Sequence, residues 1–166
     1  MVTTLSTGCD GSRVGMSRPP GDPAPTSASP RVGLGREDSG AALVTYRAMW
    51  SDLEEAGVTA DADSPVLGDH ATGAALRLLK YGLSKDRRDH VVVKGTVILA
   101  PRVVSENSIR VAVEDCTDSS HWLVYKSDGT LEDAVPGGHH DTEATMRRFG
   151  RDWKVEDLAM GPVGSC

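Results

Sequence analysis

The chain has 166 residues, which suits one domain of common size with a tail. Charged residues make up 25% and apolar residues 39%, and the net charge of −6 goes with a pI near 5.3. This balance describes a soluble globular domain without the basic face that nonspecific nucleic-acid binding requires, so nucleic acid is excluded as a partner. No window approaches the roughly 18 apolar residues of a membrane span. Aromatic residues are scarce, with one Phe, three Tyr and three Trp, so the core is expected to be mostly Val, Leu and Ala.

Residues 1–9 end in Leu5-Ser6-Thr7-Gly8-Cys9, which looks like the end of a bacterial lipoprotein signal with Cys9 as the lipid acceptor. Small residues before the cysteine give a membrane-embedded peptidase access to the bond. A working signal also needs a charged start and roughly 7–15 apolar residues, and Ser6 stands where such signals favour Leu or Val. Two readings stand. In one, the given start lies inside a longer natural signal and the domain is extracytoplasmic, anchored to the cell membrane or secreted. In the other, this is a cytoplasmic N-terminus with a chance cysteine. Residues 10–37, rich in Pro, Ser and Gly, read as a disordered linker that spans about 30 Å on average.

The domain proper is expected over residues 38–166. A first helix runs from about Ser39 to Ala56, capped by Asp38 or Ser39 and ended by Gly57, with Leu43, Tyr46, Trp50 and Leu53 on one stripe beside Met49. Ser64 before Pro65 opens a second helix that reaches about Ser84. Its inward residues are Leu67, Ala71, Ala75, Leu78 and Leu79, and Gly68 and Gly73 mark an early break or a close helix contact. Strands follow at about Val91–Ala100, Ile109–Cys116, His121–Lys126, Asp141–Phe149 and Trp153–Met160. Pro101 marks an edge, bulge or bend, residues 117–120 a hairpin turn, and Asp128-Gly129 and Pro136-Gly137-Gly138 further turns. The expected class is α+β: two N-terminal helices packed on a curved antiparallel sheet of about five strands.

Three cysteines sort by position. In an oxidising compartment Cys116 and Cys166 pair and clamp the C-terminus, leaving Cys9 for the lipid. The alternative is two unrelated thiols in a cytosolic protein.

The element order resembles the nuclear-transport-factor-2-like, or cystatin-like cone, superfamily. So do Ala48-Met49-Trp50, Asp69-His70-Ala71-Thr72-Gly73, Asp115-Cys116 through His121-Trp122 and the terminal Val163-Gly164-Ser165-Cys166. The likeness is greatest to small actinobacterial secreted or lipoprotein members, over about residues 39–166. It implies a cone fold and leaves a homodimer open. Relatives include epoxide hydrolases, ketosteroid isomerases, polyketide cyclases and noncatalytic modules, so it selects no activity.

A four-residue turn at 117–120 sets Cys116 opposite His121, Asp115 opposite Trp122 and Val113 opposite Val124. Asp115 then joins Val111, Val113 and Trp122 on the apolar face, and Cys116 faces away. Asp115 reads chiefly as a hydrogen-bonded structural carboxylate, with a base at the cone mouth as the rival. Tyr46, Trp50, Asp115 and Trp122 are the candidate pocket residues, although the stripe carrying Tyr46 and Trp50 serves equally as plain core. A Cys116–His121 dyad is within reach because opposed residues touch, but an outward Cys116 favours a bond with the C-terminal tail over a nucleophile. An Asp118, Ser119 and His121 triad is weaker because side chains in one turn diverge. His139-His140-Asp141 reads as a solvated loop rather than a metal set, since adjacent histidines on extended chain point apart. Asp69-His70 reads as surface or capping residues, and Arg87, Arg88, Arg147 and Arg148 as solvated charges. No residue set calls for a metal or a cofactor.

The functional expectation is a noncatalytic module at the cell envelope, reaching the membrane only through a lipid on Cys9. Its partner is an envelope protein or an apolar small ligand. The alternatives are a cone-fold hydrolase, isomerase or cyclase with Asp115 as base, and an accessory subunit of an envelope transport or secretion assembly.

Overall fold

The computed structural model of the chain describes residues 36–132 and 137–166. Cys9 and the expected linker up to residue 35 lie outside them. Helix α1 spans Arg36–Gly57 and buries Ala42, Tyr46, Met49, Trp50, Leu53 and Ala56, which recur along one side of a 3.6-residue helix. The few aromatics are concentrated inside: Tyr46, Trp50 and Trp153 are each 4% exposed or less.

The expected second helix is two helices, α2 (Leu67–His70) and α3 (Gly73–Arg88). Ser64 does not cap α2, whose N-cap is Val66 without a side-chain bond. The interruption comes from tertiary contact. Ala71 turns extended and bridges Val155 in parallel, and the Thr72 N–H donates to the Val155 carbonyl at 2.8 Å. Gly73 restarts the helix at φ +56°, where a Cβ would lie 2.9 Å from the Glu156 carbonyl oxygen. Only glycine meets both conditions without strain. Ala75, Leu79 and Leu83 face inward from α3, whereas Leu78, expected inward, is 41% exposed.

Six strands follow among the described residues, all paired antiparallel: β1 (Val91–Gly95), β2 (Arg102–Glu106), β3 (Arg110–Asp118), β4 (Trp122–Lys126), β5 (His139–Phe149) and β6 (Asp152–Met160). The strand expected over Val91–Ala100 ends early at Gly95, which has φ +112° and lies against the His121 carbonyl. Beyond Pro101 the chain forms β2, a strand without the periodicity that would have announced it.

β3 and β4 depart most from the expected arrangement. They form no hairpin: β3 lies between β2 and β5 in a four-stranded sheet of order β2-β3-β5-β6, and β4 pairs with β1. A strand has two edges, and both edges of β3 are occupied. Asp115 therefore opposes Thr142, and Cys116 opposes Asp141. The face assignment of β3 holds, since Val111, Val113, Asp115 and Thr117 are buried and alternate with half-buried Ala112, Glu114 and Cys116.

The inner faces of β3, β5 and β6 pack against α1 and α3 around Val111, Val113, Met146 and Val155. On the outer side Cys116 is bonded to Cys166, with their Cα atoms 5.9 Å apart, as the cysteine pattern predicts. The bond, with Gly164 N–H donating to the His139 carbonyl at 2.7 Å, holds the C-terminal residues along the start of β5.

Candidate functional site

The inward face of β3 ends in a polar cluster within the core. Asp115 is 5% exposed and both of its oxygens are engaged. Oδ1 accepts the Ala100 N–H at 2.8 Å, and Oδ2 accepts the Tyr46 hydroxyl at 3.1 Å. Burial, and then the adjacent carboxylate, push the Tyr46 phenol well above its usual range, so it stays a neutral donor. The Trp50 indole and the Thr117 hydroxyl adjoin the same phenol, yet Trp50 Nε1 and Thr117 Oγ1 complete no hydrogen bond among the described residues. The interior of the domain is filled by Tyr46, Met49, Trp50 and Met146, all at most 1% exposed. Asp115 thus ties α1 and the chain before β2 to the sheet, with each of its oxygens holding one bond within the fold.

An apolar cleft of about 250 Å³ opens nearby. Trp50 and Leu53 come from α1, Leu79, Leu83 and Asp86 from α3, Trp122 from the start of β4, and Leu158 and Met160 from β6. Trp122 packs edge-on to Trp50, with centroids 6.4 Å apart at 84°, and Trp50 packs edge-on to Tyr46 at 6.4 Å and 77°. Trp122 Nε1 is buried without a partner among the described residues. Of the four expected pocket residues, then, Trp50 and Trp122 line this cleft, and Tyr46 and Asp115 lie outside its lining. The helical stripe and the strand alternation identify these residues, and the second helix's stripe also gives Leu79 as inward. Neither points to Leu83 and Asp86 as cleft residues, because that convergence depends on how α3 crosses β6.

Asp86 is the one charged residue in the cleft lining, and burial raises its carboxyl pKa. Among the described residues it has no ion-pair partner. Its neighbours are engaged elsewhere, Lys85 with Asp89 at 2.7 Å and Arg87 with Asp63 at 3.5 Å.

The remaining candidates separate. His121 does not oppose Cys116; it is exposed and contacts Ser120 Oγ at 3.1 Å, while His139 Nδ1 lies 3.6 Å from the disulfide-bonded Cys116 Sγ. Asp118 accepts the Ser120 N–H at 2.8 Å, and these bonds hold its carboxyl below the usual range, as in a turn. Ser119 instead meets His140, with Oγ 3.0 Å from Nε2, and His140 Nδ1 lies 2.9 Å from the Gly161 carbonyl. This contact is unforeseen in the sequence. Both ring nitrogens of the histidine are thereby engaged without a carboxylate, and Ser119 is 8% exposed beneath Gly138, so the pair braces the junction of β3, β5 and the C-terminal residues.

The His139-His140-Asp141 segment is the first part of β5 rather than a loop, and its histidines turn to different partners. Among the described residues no three His, Cys, Asp or Glu side chains converge as metal ligands. His70 joins α2 to α1 through Asp52 at 2.7 Å. Arg147 and Arg148 are not simply solvated: Arg147 pairs with Glu156 at 2.7 Å, and Arg148 pairs with Asp38 at 3.3 Å.

Among the described residues, three helices laid on antiparallel sheets, with an apolar cleft beside the packed interior, define an α+β domain. No family model matches the chain, and no curated protein is similar to it in sequence. Solved structures do match. The intermembrane-space region of the chloroplast protein ARC6 superposes with a TM-score of 0.61 at 14% identity, over 77% of this chain and 99% of that one. A protein described as a putative aromatic ring hydroxylase from Novosphingobium aromaticivorans gives 0.54 at 14% identity, over 77% and 90%. Aln2 from a Streptomyces species gives 0.51 at 10% identity, over 77% and 92%. At these identities the likeness shows the fold alone. No helix among the described residues is long and apolar enough to cross a membrane.

Proposed function

We propose that this domain is a noncatalytic module of the cell envelope that holds a small apolar ligand in the cleft between α1, α3, Trp122 and the end of β6. The observation that carries the reading is the cleft itself: an apolar concavity of about 250 Å³ beside a core that is otherwise filled. The catalytic alternative has less support, because both oxygens of Asp115 are bonded within the fold and Asp115 does not line the cleft.

The Cys116–Cys166 bond supports an oxidising compartment. Attachment of a lipid at Cys9 completes the proposal, holding the domain at a membrane surface through the residues that precede α1.

Two measurements test it. Titration of the folded protein with octan-1-ol, followed by tryptophan fluorescence, should give saturable binding that perturbs Trp50 and Trp122. Absence of saturable binding by this or any short apolar probe would sink the ligand reading. Thiol counting on native, nonreduced protein isolated from its own cell should find Cys116 and Cys166 unreactive; reactive thiols at both positions would refute the envelope assignment.

A further inference from the structure

We infer that the cleft takes a cationic amphiphile, a short apolar chain or single ring system carrying a protonated amine that pairs with Asp86. This rests on the ligand-binding reading above and adds the chemical class of the ligand.

The size comes from the cavity. At about 250 Å³ it lies below the roughly 300–1,000 Å³ of sites for drug-sized molecules. The charge comes from Asp86. Around it the cleft wall is Leu79, Leu83, Trp122, Leu158 and Met160, none of which solvates a carboxylate. An ionised group partly withdrawn from water and without a counter-charge is unfavourable. The cations beside it on α3 make no direct pair with it: Lys85 is bonded to Asp89 and offsets the Asp86 charge only in part from a distance, and Arg87 is bonded to Asp63. The fold thus leaves at an apolar wall one carboxylate without a direct ion pair, whose burial outweighs the partial compensation from Lys85. A ligand carboxylate would add like-charge repulsion there, and a neutral ligand would desolvate Asp86 further without compensation. An ammonium group supplies that direct partner.

Three probes of equal chain length separate these cases: octylamine, octan-1-ol and octanoate, titrated against the disulfide-intact protein by calorimetry and tryptophan fluorescence. Octylamine should bind about tenfold more tightly than octan-1-ol, with octanoate weakest. Asp86→Asn should remove the amine's advantage and leave octan-1-ol affinity within about twofold, since the apolar contacts remain. Nothing lies within 4 Å of a Cβ at Gly82, which also lines the cleft, so Gly82→Phe should fold, fill the cavity and abolish binding of both amine and alcohol.

Binding of octan-1-ol with no amine preference, or a preference that survives Asp86→Asn, overturns the inference and leaves the ligand reading intact. Failure of all three probes, or binding that survives Gly82→Phe, removes the ligand site itself.

Discussion

Replacing Tyr46 with Phe tests whether Asp115 is part of the framework. The substitution removes one hydroxyl from a residue with no exposed surface and leaves Asp115 Oδ2 without the donor now 3.1 Å away. Asp115 itself is 5% exposed, so water cannot replace that donor without rearrangement of the core. Hydrogen bonds to charged groups contribute about 1.5–3 kcal/mol, and an unpaired buried acceptor lies toward the upper end. The Trp50 indole N–H and the Thr117 hydroxyl adjoin the same phenol without completed bonds, and their turning toward the carboxylate offsets part of the loss. The expected destabilisation is therefore about 2 kcal/mol, or roughly 6–10 °C in Tm for a domain of this size. Urea unfolding at neutral pH, with the disulfide intact and the slope unchanged, measures it directly. A double-mutant cycle with Asp115→Asn should show coupling of about 1 kcal/mol or more. A loss below about 0.5 kcal/mol, with no coupling, would refute the bracing role and return Asp115 to the list of available bases.

Three further outcomes are expected. Cys166→Ser opens a loop of 50 residues and should destabilise by up to about 4 kcal/mol, read as a lower urea midpoint and faster amide exchange at Gly164. Gly73→Ala forces a side chain to φ +56° with its Cβ 2.9 Å from the Glu156 carbonyl oxygen, so a loss of about 1–2 kcal/mol or more should appear in thermal unfolding. The Asp86 carboxyl is raised by burial above its ordinary value near 3.8, so the folded state holds that proton more tightly than the unfolded state. Its contribution to stability is then lost as pH rises through the raised value, and at neutral pH Asp86 is a net penalty. Asp86→Asn should accordingly raise Tm at pH 7 by an amount that shrinks as pH falls toward 3.8, whereas a pH-independent difference would contradict the burial argument.

Gain of stability with loss of amine selectivity in Asp86→Asn would be the behaviour of a residue retained for binding rather than for folding. The opposite is expected of Tyr46 and Asp115, whose substitution should lower stability without altering selectivity among the probes. The two sets of residues lie within about one helix turn of each other on α1, at Tyr46 and Trp50, but the edge-on contact between those rings separates a bracing cluster from a ligand wall.

Features that depend on near neighbours along the chain are legible in the residues alone. The spacing of Tyr46, Met49, Trp50 and Leu53 sets the buried stripe of α1, and alternation from Val111 to Thr117 sends Asp115 inward and Cys116 outward whichever strands lie alongside. The outward cysteine, in turn, made its bond to Cys166 legible. Tertiary structure decided what depends on competition between distant segments. The turn after Asp118 resembles a hairpin locally, but a strand has only two edges, and β2 and β5 occupy both edges of β3, so β4 pairs with β1. The same holds for the second helix, whose break at Ala71 exists because Val155 offers that chain a bridge. The cleft was least visible of all: Leu83 and Asp86 on α3, Trp122 and Leu158 come from segments far apart along the chain, and only the packing of α3 against β6, with Trp122 alongside, brings them to one wall.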